Sequence, residues 1–156
     1  MSVGAGRYAE EAVVQHLSSD LQPAFFEDLA DNRNRPFADG VPVKMTESLM
    51  EQARKWSDRY RNMRSEGASQ KDIERAFNEK TEMRVFSWKK PGYIDTVMTP
   101  NDSIRYYKSF LRASFIAMEP VTGHIKAYIG GPDYRYFKYD NARQGKRQVG
   151  STIKPF

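Results

Sequence analysis

Gly150-Ser151-Thr152-Ile153-Lys154-Pro155 sets a hydroxyl and an amine three residues apart. On a helix, positions i and i+3 share a face, so the Lys154 amine can reach the Ser151 hydroxyl. A serine becomes a nucleophile when a neighbouring base takes its proton, and a lysine can serve if desolvation or a nearby cation leaves it neutral. Pro155 refines the geometry. Inside a helix it would cost roughly 3 kcal/mol, so Lys154 belongs in the first turn and Ser151 at the N-terminus. Free backbone N–H groups and the helix dipole there could stabilise an oxyanion. The chemistry that this pattern suggests is acyl transfer.

The bare motif is common, arising on the order of once per 200–300 positions at average residue usage. Ser87 to Lys90 repeats it in a strand-turn stretch, where i and i+3 do not share a face. Gly145 to Thr152 also fits G-x-x-x-x-G-x-T, but Ser151 stands where a phosphate-binding loop needs lysine and no strand runs directly into it. His16 and His124 have no second ligand at metal spacing, so no metal or other cofactor is expected. The interleaved Tyr134, Arg135, Tyr136, Phe137, Lys138 and Tyr139 could stack single-stranded nucleic acid. No nucleic-acid-binding motif accompanies them, and a loop beside a cleft is the preferred reading.

Context separates the second S-x-x-K from the first. The string RQVGSTIKPF, with AMEPVTGHIKAYIGG upstream of it, resembles the start of the transpeptidase domain in bifunctional class A (1A-type) penicillin-binding proteins. In that family a hairpin with a P-x-T-G turn (Pro120, Thr122 and Gly123 here) precedes R-Q-x-G-S-x-x-K-P (Arg147, Gln148, Gly150, Ser151, Lys154 and Pro155 here). The likeness covers about residues 105–156 and is weaker upstream, where the family's chain links a glycosyltransferase domain to the transpeptidase. It implies Ser151 as the acylated nucleophile and Lys154 as its general base. It also implies peptidoglycan stem peptides and β-lactams as the molecules bound, cell-wall synthesis or division proteins as partners, and the periplasmic side of the inner membrane as the location. Val149 replaces a proline common in relatives. The companion S-x-N and K-T-G motifs are missing, as are the glycosyltransferase's acidic motifs. The expectation is therefore a piece of a larger enzyme, inactive by itself.

The elements that must position this segment read as α+β. Residues 1–99 are expected to form an interdomain linker region of helices and a β-hairpin. Residues 100–156 are expected to hold the first helix and antiparallel hairpin of a serine transpeptidase (penicillin-binding/β-lactamase-like) domain, incomplete. Tyr8 to Leu17 and Gln22 to Leu29 have helical spacing, with Pro23 suited to a first turn. Residues 31–43 read as loop. Thr46 is the expected N-cap of a long helix in which Leu49, Ala53, Trp56, Tyr60 and Met63 form one apolar stripe, read as core, and Gly67 stops it. Ser69 and Asp72 resemble a capping box opening a second helix that turns Ile73, Ala76 and Phe77 inward, which makes a helical hairpin. Residues 83–88 and 93–98 alternate as strands about Lys89-Lys90-Pro91-Gly92. Thr99 and Pro100 open a helix running to about Arg112, and Phe115 to Glu119 pairs with His124 to Ile129.

Composition sets outer limits. Hydrophobic residues make up 39% and aromatics 13%, enough for a core, with mean hydropathy −0.76. No run approaches the ~20 apolar residues of a membrane-spanning helix, and no signal-peptide pattern opens the chain. Any membrane anchor would lie outside this sequence. Cysteine is absent, which excludes disulfides and thiolate chemistry. The net charge of +5 is unevenly spread, at −4 over residues 1–40, +3 over 41–100 and +6 over 101–156. A basic C-terminal third could attract nucleic acid, anionic lipid or an acidic polymer, and charge alone fits a solvated face at least as well.

Overall fold

A computed structural model describes residues 3–146 and residue 150. Ser151, Lys154, Arg147, Gln148 and Pro155 lie outside the described residues. The chain divides into two compact units, one of residues 21–111 and the other of residues 1–20 with 112–156.

The first unit runs α2 (Gln22–Asp28), α3 (Val43–Trp56), α4 (Asp58–Ser65), α5 (Gln70–Asn78), β1 (Thr81–Phe86), β2 (Tyr93–Met98) and α6 (Pro100–Lys108). Local chemistry explains several of these boundaries. The Ser69 side chain accepts from the Asp72 N–H and opens α5, and Thr99 does the same for α6 with Asp102. Strands β1 and β2 pair antiparallel from Thr81↔Met98 to Phe86↔Tyr93, closed by the expected Lys-Lys-Pro-Gly turn. α3 and α5 both pack against α6, and α6 packs on β1. α6 therefore belongs to this unit, although the sequence changes character just ahead of it.

Aromatic packing joins these elements. Phe110 meets Phe86, Tyr106 and Phe26 edge-on at centroid distances of 5.1, 5.0 and 5.9 Å. The Tyr106 hydroxyl donates to the Phe86 carbonyl at 2.7 Å, and the Phe86 N–H donates to the Tyr107 hydroxyl at 3.1 Å. Two tyrosines thus satisfy both backbone groups at the end of β1. Ile73, Phe77, Val85 and Met50 complete the core.

Four expectations fail here for tertiary reasons. α3 starts at Val43 behind Pro42, so Thr46 is not its cap; Thr46 lies inside the helix, buried, and its hydroxyl has no partner among the described residues. The long helix breaks at Ser57, whose extended backbone ends α3 and whose hydroxyl accepts from the Tyr60 N–H to begin α4. The break takes Trp56 out of the stripe and leaves it 72% exposed, so it is not core. α6 ends at Lys108 rather than near Arg112, because Gln22 intervenes. Its amide donates to the Ser109 carbonyl at 3.0 Å and its carbonyl accepts from the Leu111 N–H at 2.9 Å, replacing helical bonds at that end.

In the second unit, α1 (Val3–His16), followed by a π-helical turn (Leu17–Leu21), packs on β4 (Ile125–Ile129), which pairs antiparallel with β3 (Phe115–Met118). A register irregularity falls between Ala117 and Met118. Ala127, Ile129 and Phe137 are buried, but Ile125, read as sharing their face, is half exposed. A short helix, α7 (Asn141–Gln144), follows. Among the described residues no helix is long and apolar enough to cross a membrane.

Candidate functional site

The predicted nucleophile and base, Ser151 and Lys154, lie outside the described residues, and the described segment that precedes them in sequence is residues 130–146. β4 ends at Gly130-Gly131, and the chain then turns back. The N–H groups of Tyr136 and Phe137 donate to the Asp133 carbonyl, at 3.2 and 2.8 Å, and Phe137 is buried beneath the turn with the Arg112 guanidinium 5.2 Å from its ring centroid. Burial lowers the Arg112 pKa from its ordinary value. The aromatic-basic run is absorbed internally, since Lys138 sits 4.5 Å from the Tyr134 ring centroid and Arg135 sits 5.8 Å from that of Tyr136. Arg135 also pairs with Asp133 at 2.7 Å, which holds that carboxyl below its ordinary range.

Asp140 is the hub of the segment. Its carboxylate accepts from the Tyr128 hydroxyl at 2.6 Å and from the backbone N–H groups of Ala142 and Arg143 at 2.9 and 3.0 Å. The side chain thus caps α7 and ties it to β4 at once. The Tyr128 hydrogen bond chiefly, with the backbone donors behind it, lowers the Asp140 pKa, and the same bond raises that of Tyr128. Asn141 adds a second tie, donating to the Gly130 carbonyl from its backbone at 2.7 Å and from its side chain at 3.1 Å. The Tyr139 hydroxyl closes the far end by donating to the Gln144 carbonyl at 2.6 Å.

Two glycines are required by space. A Cβ on Gly130 would lie 2.7 Å from an Asp140 carboxylate oxygen, and one on Gly145 would lie 2.3 Å from the Asn141 carbonyl oxygen. A third, Gly150, has φ +54°, a left-handed backbone that glycine adopts without strain, immediately before Ser151. A cavity of about 370 Å³ opens beside this segment, between Gly6 and Glu10 of α1 and Tyr128, Asp133, Tyr134 and Asp140.

The described part of the site can position and cap. Its bond-making groups would be Ser151 and Lys154, which lie beyond it. Asp140, Tyr128 and Asn141 carry no motif that marks them in the sequence. The signal for Asp140 was available in Asp140-Asn141-Ala142-Arg143, an acidic cap before a helix-compatible run, but a four-residue helix leaves no periodicity to notice. Neither histidine joins this segment. His16 bonds Asp20 at 2.8 Å, and His124 stands just ahead of β4. Among the described residues no cluster of His, Asp or Glu could hold a metal ion.

With that geometry in hand, similarity to known proteins places the chain. A family model described as penicillin-binding protein middle domain matches residues 32–111, just over half of the chain. Penicillin-binding protein 2D of Bacillus subtilis is 45% identical over 47 residues, covering 30% of this chain and 7% of that protein. Penicillin-binding protein 1A of Vibrio cholerae is 46% identical over 43 residues, covering 28% and 5%. Penicillin-binding protein 1A of Escherichia coli is 39% identical over 46 residues, covering 30% and 5%. The matched stretches are thus a small part of those relatives' length. No solved structure gives a significant match. The chain belongs to the penicillin-binding proteins of class A, 1A type, and carries their middle domain.

Proposed function

We propose that this chain is part of a peptidoglycan synthase that works on the periplasmic side of the bacterial inner membrane, and that Ser151 is the residue it acylates. Family membership supports the reading, and the single observation that carries it is the R-Q-x-G-S-x-x-K-P string at Arg147 to Pro155. In this account the Ser151 hydroxyl attacks the carbonyl between the two terminal alanines of a stem peptide while Lys154 takes its proton. The peptide C–N bond breaks, the proton passes to the departing alanine amine, and an ester on Ser151 awaits the amine of a second stem peptide. A β-lactam would form the same ester by ring opening. In this reading the tied segment at residues 130–146, which precedes that serine in sequence, would help to orient it, and orientation of this kind accounts for a large share of catalysis in general.

S-x-N and K-T-G do not occur in these 156 residues, so acylation requires a longer chain that holds them. Fluorescent penicillin should label such a chain. Ser151→Ala should abolish the label, and the 156-residue chain should remain at background. A Ser151→Ala chain that still labels would overturn the assignment.

A second reading, a docking surface for a protein partner or cell-wall glycan within residues 1–100, draws on one observation. Along α3, Trp56, Val43 and Met45 are 72%, 70% and 56% exposed. Retention on peptidoglycan fragments or division proteins that falls with Trp56→Ala would support it, and absent or unaltered retention removes it.

A further inference from the structure

In the first unit, the end at which β1 turns into β2 gathers positive charge. Residues 83–94 hold Arg84, Lys89 and Lys90 and no acid, and residues 103–111 hold Arg105 and Lys108 and no acid. Packing brings the two stretches together at Phe86. Its N–H and carbonyl bond the Tyr107 and Tyr106 hydroxyls of α6, and its ring meets Phe110 and Trp88 at centroid distances of 5.1 and 4.9 Å. The turn is fixed by its own bonds. The Gly92 N–H donates to the Lys89 carbonyl at 2.8 Å, the Ser87 N–H to the Gly92 carbonyl at 3.1 Å, and the Lys89 N–H to the Ser87 hydroxyl at 3.2 Å.

The side chains of Lys89 and Lys90 are exposed and have no ion-pair partner among the described residues. Arg84 differs. Asp95 accepts from it at 2.8 and 3.1 Å, and its guanidinium lies 4.0 Å from the Tyr93 ring centroid. That pair takes up the first acid after the turn. Other acids near this end are Glu27 and Asp28 of α2, the helix whose Phe26 meets Phe110. The two lysines are compact, hydrated point charges, suited to a diffuse anionic surface more than to planar, bidentate recognition. Trp88 and Tyr93 flank them half-buried, and Ile94 is 43% exposed. Aromatic rings and lysine stems together favour the headgroup layer of a bilayer. A glycan pocket relies on a few placed polar groups, and residues 86–94 contain no carboxyl or amide side chain.

We propose that the tip at Trp88 to Tyr93, backed by Arg105 and Lys108 of α6, docks the middle domain onto an anionic lipid surface. The choice of a bilayer rests on the inner-membrane location proposed above, whereas the cationic tip does not depend on Ser151. Co-sedimentation of the full 156-residue chain with vesicles tests it. Phosphatidylcholine vesicles with about one-third phosphatidylglycerol should retain the chain, and pure phosphatidylcholine should not. Raising sodium chloride to about 1 M, where the Debye length is about 3 Å, should release it.

Lys89→Gln combined with Lys90→Gln should weaken retention about thirtyfold, about fivefold for each cation lost. Lys71→Gln combined with Lys146→Gln removes the same net charge from exposed positions outside the tip, and should weaken it about twofold or less. In a Trp56→Phe chain Trp88 is the one tryptophan left, and a nitroxide on the lipid headgroup should quench it. The wild-type retention does not depend on any variant folding. No retention on the anionic vesicles, equal retention on both kinds, equal losses in the two double variants, or an unquenched Trp88 would each overturn the proposal. Binding to soluble polyglutamate as tight as to the vesicles would overturn it too, and would give the tip to an acidic protein. None of these readouts involves penicillin, so failure here and failure of the Ser151 assignment are separate results.

Discussion

Gln22 is only 1% exposed, and both ends of its amide are used, one on the Ser109 carbonyl and the other on the Leu111 N–H. Replacing it with methionine keeps the volume and removes both bonds, so no cavity term enters. Each lost neutral hydrogen bond is worth about 0.5–1.5 kcal/mol, and leaving a partner buried and unmatched moves the loss toward the top of that range. Gln22→Met should therefore destabilise the unit by about 1–3 kcal/mol. With a urea slope of about 1–3 kcal/mol per molar, the unfolding midpoint should fall by roughly 1 M without a change in slope. Circular dichroism of the whole chain in urea reads this directly, with Gln15→Met on the exposed side of α1 as the control. The family match begins at residue 32, whereas the packing unit begins at residue 21, so the same experiment tests whether α2 belongs to the middle domain's fold. A midpoint within error of wild type would refute the clamp, and with it the explanation for the early end of α6.

The remaining predictions concern packing and the segment before Ser151. Phe110→Ala removes a ring that is 7% exposed and packs on Phe26, Phe86 and Tyr106, so urea unfolding should show a loss of about 3–5 kcal/mol. The Tyr128–Asp140 bond should fail at both pH extremes. The carboxyl is held below its ordinary value of about 3.9, so its contribution is present above that value and lost as pH falls through the lower folded one. The phenol is held above about 10, so its contribution is complete below that value and lost as pH rises through the higher folded one. Carbon-13 NMR of the Tyr128 phenol should show its midpoint falling toward about 10 in Asp140→Asn, and an unmoved midpoint contradicts the pairing. Gly145→Ala forces a Cβ onto the Asn141 carbonyl, so hydrogen exchange should show α7 losing protection while β1 and β2 keep theirs. In a penicillin-reactive longer chain that variant should also acylate about tenfold or more slowly.

The features legible in the sequence were those determined within a few residues. The Ser69 and Thr99 caps, the Lys-Lys-Pro-Gly turn and both hairpins all form from neighbours in the chain; the caps stand where the residue pattern put them, whereas β1 runs Thr81–Phe86, two residues ahead of the expected 83–88. Thr46 was misread because α3 starts three residues earlier, behind Pro42, and Trp56 because periodicity cannot distinguish one long helix from two broken at a single residue. The signal for the break was a lone Ser57 ahead of Asp58, and it matters only because the serine hydroxyl leaves the first helix to start the second. The Gln22 clamp links positions 87 and 89 residues apart, and α1 packs on a strand more than a hundred residues later. Neither leaves a local trace. In the candidate site the hydroxyl–amine spacing and its flanks were visible as chemistry. The Asp140 hub was hidden because its role depends on Tyr128 meeting it across a turn.

The Ser151 hydroxyl can be tested directly. A longer chain of this protein that includes S-x-N and K-T-G, treated with benzylpenicillin and digested, can be sequenced by mass spectrometry. One peptide should be heavier by the mass of the intact drug, with the ester on Ser151, and no such peptide should form when Lys154 is replaced by alanine. An adduct on any other residue, or full modification of Ser151 in the Lys154→Ala chain, would contradict the assignment.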